Sequence, residues 1–470
     1  MRADDPGETS AVLDEAYLVN RGTDDAPASR ALTLQQRLLV GGVAVEQIGR
    51  VVRAYGTTVH VSGIDARIGQ RCTIDTPGST GHRFADVVGI ADGQLILYPL
   101  GPLEGISTRS EVRLLQRGRS VRFSPNLVGS ILDGTGRPLY APGKPVDVID
   151  LPVDRAAPDP LTRRPVSQVF ATGVRAIDAL LTIGEGQRCG IFAAAGGGKS
   201  TLLSMLARNA DADVIVIGLI GERGREVREF IEHNLGEEGM RKAVLVVSTS
   251  DRPAMERVMA AQCATTIAEG FRARGLRVML LIDSITRYAR ALREIGLSVG
   301  EPPVRRGFPP SVFAELPRLL ERAGNDRSGS ITAFYTVLVE DEETSDPIAE
   351  EVRSILDGHL VLSRELGEKG HYPPIDVLAS ASRLFGALTE PSHQAAALRV
   401  RELMAKYREL ELLIQMGEYR PGADALADTA IERRDAIDAF LRQMPNEVDG
   451  PARSIEWLAA LAADRVPGAS

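Results

Sequence analysis

The stretch RCGIFAAAGGGKSTLLSMLARN, Arg188 to Asn209, decides how the rest of this 470-residue chain is read. It opens with an apolar run of strand length and closes with a good helix former. Between them Gly196, Gly197 and Gly198 precede a lysine and a hydroxyl. AAAGGGKS fits the pattern GxxxxGK[ST] with one departure: Ala193 stands where a glycine is usual, which requires only that this position keep a negative φ. Successive glycines let the backbone wrap closely enough for its N–H groups to face an anion. The helix start adds free donors and a positive dipole end. The run Ala195, Gly196, Gly197, Gly198, Lys199, Ser200 and Thr201 is therefore expected to hold the phosphates of ATP. Lys199 is placed to reach the β- and γ-phosphates, and the Ser200 hydroxyl to hold Mg²⁺.

Two further strand ends belong to the same reading. RVMLLIDSITR is an apolar strand that ends in an acid, which puts Asp283 at the carboxyl edge of a sheet, where ligands of such folds bind. An acid there is equally a cap for the next helix, but downstream of a phosphate loop it reads as part of the Mg²⁺ shell, with Ser200. DVIVIGLIGERGREVREF ends its strand at Glu222, after a glycine. A carboxylate at that edge can polarise an attacking water, the part still missing for hydrolysis. Arg223 and Arg225 put positive charge beside it, and Arg223 counts among the catalytic candidates. The plainer reading of this run is a charged surface that caps a helix.

Working outward, the runs QRCGIFA, DVIVIGLIG, AVLVVST, RVMLLID, SITAFYTVLV and HLVLS alternate with helix-like stretches between about residues 119 and 385. That rhythm predicts an α/β unit with a mostly parallel sheet covered by helices on both faces. Residues 46–118 carry short glycine-punctuated β segments (GRVVRAYG, TTVHVSG, RCTID, DGQLILYPL), which predict a small β-barrel. In residues 386–470 helical spacing takes over. Ala396, Val400, Leu403, Tyr407 and Leu410 form one stripe, and Ile431, Ile437, Phe440 and Met444 a second. Residues 1–45 are polar with acidic clusters and read as a mobile extension with a docking helix.

Composition narrows the function classes. A net charge of -8 argues against nucleic acid as the main partner. An RNA translocase with a similar barrel-plus-core plan would need stacking aromatics and a basic groove in the barrel, and residues 46–118 offer only Tyr55, Phe84 and Tyr98. Cys72, Cys189 and Cys263 lie far apart and read as buried free thiols of a reducing compartment. No apolar run approaches the ~18–20 residues needed to cross a bilayer, and no signal peptide is expected.

Taken in order, these elements look like the rotary and secretion ATPases of the RecA-like class. VIVIGLIGERGREVREFIEHNLGEEG, STSDRPAMERV, REIGLSVGEPPVRRGFPPSVFAELPRLLERAGN, GSITAFYTVLVE, ILDGHLVLSREL and HYPPIDVLASASR together resemble the ATPases of bacterial type III secretion systems. The flagellar export ATPases share most of these motifs; STSDRPA, Ser248 to Ala254, looks more like the injectisome version. The resemblance implies a RecA-like P-loop core, ATP hydrolysis coupled to protein export, and a homohexamer. It implies that Glu222, absent from inactive ring subunits, activates water. It implies that Arg383, in ASASR, completes the site of a neighbouring subunit, and that Tyr372, in HYPPID, stacks on adenine with Tyr419, in GEYRPG, as its partner. Arg287, in SITRYAR, falls in the same cleft. The extra proline, Pro374, stiffens the loop after Tyr372.

The same resemblance implies partners. Arg305 and Arg306, in GEPPVRRGFPPS, would face a central channel and a coiled-coil stalk. The C-terminal helices would meet chaperone–effector complexes, and the N-terminal extension a stator-like regulator. The whole would lie in the cytoplasm, peripheral to the inner membrane, and feed an export gate.

Overall fold

The structure, a computed structural model, describes residues 47–76, 82–115, 118–194, 196–339 and 346–463. The docking helix expected in residues 1–45 lies outside them.

Six strands, β1 (Ile48–Tyr55), β2 (Thr58–Ser62), β3 (Arg71–Asp75), β4 (His82–Ala91), β5 (Gln94–Pro99) and β6 (Glu111–Leu114), close a barrel in the order β1-β2-β5-β4-β3-β6. Period-two patterning drives it. In β3, Cys72 and Ile74 point inward between half-buried neighbours and join Val59, Val61, Val87, Leu97 and Val112 in one apolar interior. The β4–β5 hairpin turns on Asp92 and Gly93, both at positive φ (51° and 70°), as a two-residue primed turn requires. The sequence reading found β1, β2, β3 and β5. It missed β4, whose first residues are charged, and the four-residue β6.

After a two-stranded ribbon of β7 (Ser120–Phe123) and β10 (Ile149–Pro152), a large sheet is built from β8 (Ile131–Asp133), β9 (Pro138–Tyr140), β11 (Arg188–Ala193), β12 (Val214–Glu222), β13 (Ala243–Thr249), β14 (Arg277–Asp283), β15 (Gly324–Asn325), β16 (Ser330–Leu338), β17 (Gly358–Leu362) and β18 (Ala381–Ser382). Their order is β18-β17-β11-β16-β14-β12-β13-β8-β9, with β15 beside β16. The interior pairs are parallel, whereas β9 and β18 run antiparallel at the two edges. Every residue of β12 is buried, as a parallel strand covered on both faces demands. One face carries the helices Ala254–Arg272, Ile285–Ser298 and Pro310–Leu320. The other carries Lys199–Asn209 through Leu202, Leu203 and Leu206.

Three C-terminal helices, Pro391–Gln415, Ala425–Leu441 and Pro451–Ala462, share that second core. Ala396, Val400, Leu403 and Leu410 are buried as the spacing predicted, with Tyr407 packed alongside. Met444 does not continue the second stripe. Its helix stops at Leu441, shortly before Pro445, and Met444 is exposed; the residue before a proline is driven out of the helical region. The three cysteines are free and buried. Among the described residues no helix is long and apolar enough to cross a membrane.

Candidate active site

Strand β11 runs directly into the glycine loop. Ala193 is its last, buried residue and is not among the positive-φ positions, so the departure from the glycine pattern costs the backbone nothing. Gly198 is different. It caps the Lys199–Asn209 helix in the left-handed region (φ 74°), and a Cβ there would lie 2.7 Å from Pro374 Cγ and 3.2 Å from Tyr372 Cε1. Only glycine meets both conditions. Ala195 lies outside the described residues; Gly196 to Thr201 line a cavity of about 510 Å³.

The far wall of that cavity comes from two strand ends. A register shift between Ile220 and Glu222, with Gly221 at φ 68°, re-aims the end of β12. Glu222 lines the cavity and is buried. At the end of β14, Asp283 joins it. The Lys199 ammonium bridges the two, donating to Asp283 Oδ1 at 2.6 Å and to Glu222 Oε1 at 3.2 Å. Thr336, in mid-β16, donates its hydroxyl to Asp283 Oδ1 at 2.7 Å. Arg287, on the helix capped by Ser284, lies 3.1 Å from Glu222 Oε2 and donates to the Gly221 carbonyl.

Electrostatics follow from this packing. Burial pushes the Glu222 carboxyl up to about 7, the Asp283 charge adds to the rise, and Lys199 and Arg287 oppose it. Glu226 shares a hydrogen bond with Glu222 and is held below its ordinary value. Burial alone would lower Lys199, but Asp283 and Glu222 outweigh it, so its pKa is raised and the ammonium stays charged. The arrangement is a cation clamped between two carboxylates under a helix start, a ready exchange partner for an incoming polyphosphate. Ser200 and Asp283 line the same cavity and offer only oxygen donors, hydroxyl and carboxylate, which suit Mg²⁺. Among the described residues no cluster of three or more His, Cys, Asp or Glu could hold a metal by itself, so most ligands of that ion would be phosphate and water.

The remaining candidates are dispersed. Arg223 lines the cavity with a largely exposed side chain, 3.4 Å from Glu226. Arg383 follows β18 at the sheet edge, is outside the cavity lining and bonds the Arg353 carbonyl at 3.3 Å. Tyr372 packs at Gly198. Tyr419, expected as its partner, is occupied in its own loop, donating to Asp428 Oδ1 at 2.8 Å and to the Asp424 carbonyl at 3.3 Å. What the C-terminal helices bring to Tyr372 is Gln443, whose backbone N–H donates to the Tyr372 carbonyl at 2.9 Å. Thr336, Glu226 and Gln443 carried no signal in the sequence. Arg287 was expected in the cleft from the resemblance alone, and it lines the cavity.

Residues 173–382 match the ATP synthase alpha/beta family, nucleotide-binding domain, and residues 389–460 the T3SS EscN ATPase C-terminal domain. The chain is 52% identical over 432 residues to a type 3 secretion system ATPase of Xanthomonas euvesicatoria, covering 92% of this chain and 98% of that one. It is 45% identical over 421 residues to a flagellum-specific ATP synthase of Pseudomonas aeruginosa, covering 88% and 93%. The structure of the assembled ATPase EscN from the enteropathogenic E. coli type III secretion system superposes with a TM-score of 0.84 at 46% identity, over 88% of this chain and all of that one. EscN in complex with its central stalk EscO superposes at 0.80 with the same identity and coverage.

Proposed function

Because this chain belongs to the type 3 secretion system ATPases, an ATP-hydrolysing class, we propose that it works as a homohexameric ring whose sites are each completed by the next subunit. The observation that carries this is the separation of Arg383 from the cavity that holds Lys199, Glu222 and Asp283. A site with a lysine, a water-directing carboxylate and an Mg²⁺-type acid still lacks a group for the charge that develops in transfer, and an arginine finger worth ~10³–10⁵ in rate supplies it. One chain that carries both halves of a site on different surfaces assembles head to tail into a closed ring.

In this reading the backbone N–H groups of Gly196 to Thr201 take the phosphates. The Lys199 ammonium leaves its two carboxylates for the β- and γ-phosphate oxygens. Glu222, released from Lys199 but still held by Arg287, orients the attacking water and accepts its proton. Mg²⁺, when bound, neutralises phosphate charge, and Ser200 and Asp283 are the protein groups that would hold it. Tyr372 stacks on adenine.

The loop of Arg305 and Arg306 would face a coiled-coil central stalk, as EscN is paired with EscO. Chaperone–effector complexes at the C-terminal helices, a stator-like regulator, the export gate and a cytoplasmic station at the inner membrane complete the proposal. The energy would release chaperones and unfold substrates for export. The injectisome relative is closer than the flagellar one, at 52% against 45% identity.

Steady-state hydrolysis against protein concentration tests the shared site. Turnover per chain should rise with concentration for the wild type and stay near zero for Arg383→Ala. Mixing Arg383→Ala with Glu222→Gln should restore activity, because some interfaces regain both groups. Flat turnover per chain, with an active Arg383→Ala, would show that each chain works alone.

A further inference from the structure

We infer that Gln443 is a positioning residue for the base: it fastens the loop that carries Tyr372 to the body of the ATPase fold, and thereby sets affinity for the nucleoside part of the nucleotide. The inference rests on Tyr372 as the adenine-stacking residue. Gln443 lies in the short segment after the Ala425–Leu441 helix and is only 3% exposed. Its side-chain amide is fully used. Oε1 accepts from the Arg175 N–H at 2.9 Å, while Nε2 donates to the Gly173 carbonyl at 2.8 Å and to the Glu447 carbonyl at 2.9 Å. Two carbonyls on one side and an N–H on the other fix which way the amide points. Its backbone N–H is the group bound to the Tyr372 carbonyl.

What Gln443 grips is tied to the phosphate loop by a second route. Gly173, at φ 72°, sits so close to the far end of the Lys199–Asn209 helix that a Cβ would lie 2.6 Å from Asn209 Cβ. The Ala171 carbonyl accepts from the Asp211 N–H at 3.0 Å. Tyr372 itself packs at Gly198, the start of the same helix. One residue, Gln443, therefore links two segments that lie at opposite ends of the phosphate-binding helix, Gly173 through its side-chain amide and Tyr372 through its backbone N–H. Arg175 locks the segment from the other side: it is buried, donates to the Phe440 carbonyl at 2.9 Å, pairs with Asp449 at 2.5 Å and with Glu447, and lies over the Trp457 ring. A buried network satisfied to this degree holds one geometry, and the loop it holds carries Tyr372, whose ring lies beside Gly198.

The test separates base from phosphate. Gln443→Glu keeps the shape but sets carboxylate oxygens against the Gly173 and Glu447 carbonyls, and Gln443→Asn withdraws the amide without adding a charge. Binding of ADP and of inorganic tripolyphosphate would be measured for both, and for Tyr372→Ala, with a thermal melt for each. The expected result is a loss of ADP affinity of about tenfold in Gln443→Glu and Tyr372→Ala, equivalent to about 1.4 kcal/mol, with tripolyphosphate affinity unchanged. The Tyr372→Ala/Gln443→Glu double variant should lose no more than Tyr372→Ala alone. If Gln443→Glu does not fold, Gln443→Asn carries the comparison. Three results overturn the inference: ADP and tripolyphosphate weakening together, losses that add in the double variant, or a Tyr372→Ala effect that neither Gln443 variant shares. If Tyr372→Ala leaves ADP binding intact, the adenine reading falls first, and this one with it.

Discussion

The phosphate end and the base end of the nucleotide site are built on opposite principles. At the phosphate end, Glu222 and Asp283 stand at the carboxyl ends of the paired parallel strands β12 and β14, and Lys199, which starts the helix after the glycine loop, sets its ammonium within 3.2 Å of both carboxylates. At the base end, Tyr372 sits on a loop held by residues from distant parts of the chain, through the amide of Gln443 and the buried Arg175. Strand ends are fixed by cooperative ladders; a loop is fixed only as well as its polar contacts are satisfied. The first end should therefore govern the chemical step, and the second should govern affinity.

The largest effect tests that division at the proposed water-directing group. Glu222→Gln preserves size and one acceptor but cannot take a proton, so kcat should fall by about 10²–10⁴ with ATP binding retained. Single-turnover hydrolysis beside equilibrium ADP binding measures both. A Glu222→Gln enzyme that loses binding and keeps kcat would dissolve the distinction between the two ends.

Next comes the point where the ends meet. A Cβ on Gly198 would meet Pro374 and Tyr372, and the same residue caps the start of the phosphate-binding helix. In Gly198→Ala the new methyl must push the base loop away, at a positive φ that costs about 1–3 kcal/mol. ATP affinity should fall between several-fold and about a hundredfold, and tripolyphosphate affinity should fall with it. That joint loss is what separates Gly198 from Gln443, and an equal loss for the two probes in both variants would show a single undivided site.

The contrast also explains what could be read in advance. An acid or a glycine run that ends an apolar strand is a local signal, so Lys199, Ser200, Glu222 and Asp283 were legible, as were β11 to β14, β16 and β17. Thr336 was not, because a threonine inside SITAFYTVLV looks like any β-branched strand residue until β14 lies beside it. Gln443 was hidden for a different reason: its role depends on Gly173 and Tyr372, far away in sequence. Met444 was misread as a helical stripe member because periodicity gave no weight to Pro445. Tyr419 was expected beside the base on resemblance alone; its hydroxyl donates to Asp428.

A moderate effect should appear with pH. Burial and the Asp283 charge hold the free-site Glu222 at about 7, and the ionised form is the one that can accept a proton from water. Protonation below that value removes the base, so kcat/KM should fall about tenfold per unit on the acid side and level off above it. Lys199, with its pKa raised, keeps its charge throughout. A rate profile from pH 5.5 to 8.5 checks the midpoint, and the residual activity of Glu222→Gln should be flat across it. An acid limb that survives in Glu222→Gln would assign the titration to another group.

The smallest effect probes how far the phosphate end depends on polar contacts at all. Thr336→Val keeps shape and strand propensity but removes the hydroxyl that donates to Asp283 Oδ1. A hydrogen bond to a charged group contributes about 1.5–3 kcal/mol to stability, yet Asp283 keeps its place at the end of β14 without it. Only the share of that bond still needed once the nucleotide is bound should reach the rate, so kcat should drop no more than about tenfold, with ADP affinity and base preference untouched. A loss as large as that of Glu222→Gln would mean that Asp283 is held by the hydroxyl and not by the sheet. In that case the phosphate end, like the base end, would be only as firm as its hydrogen bonds.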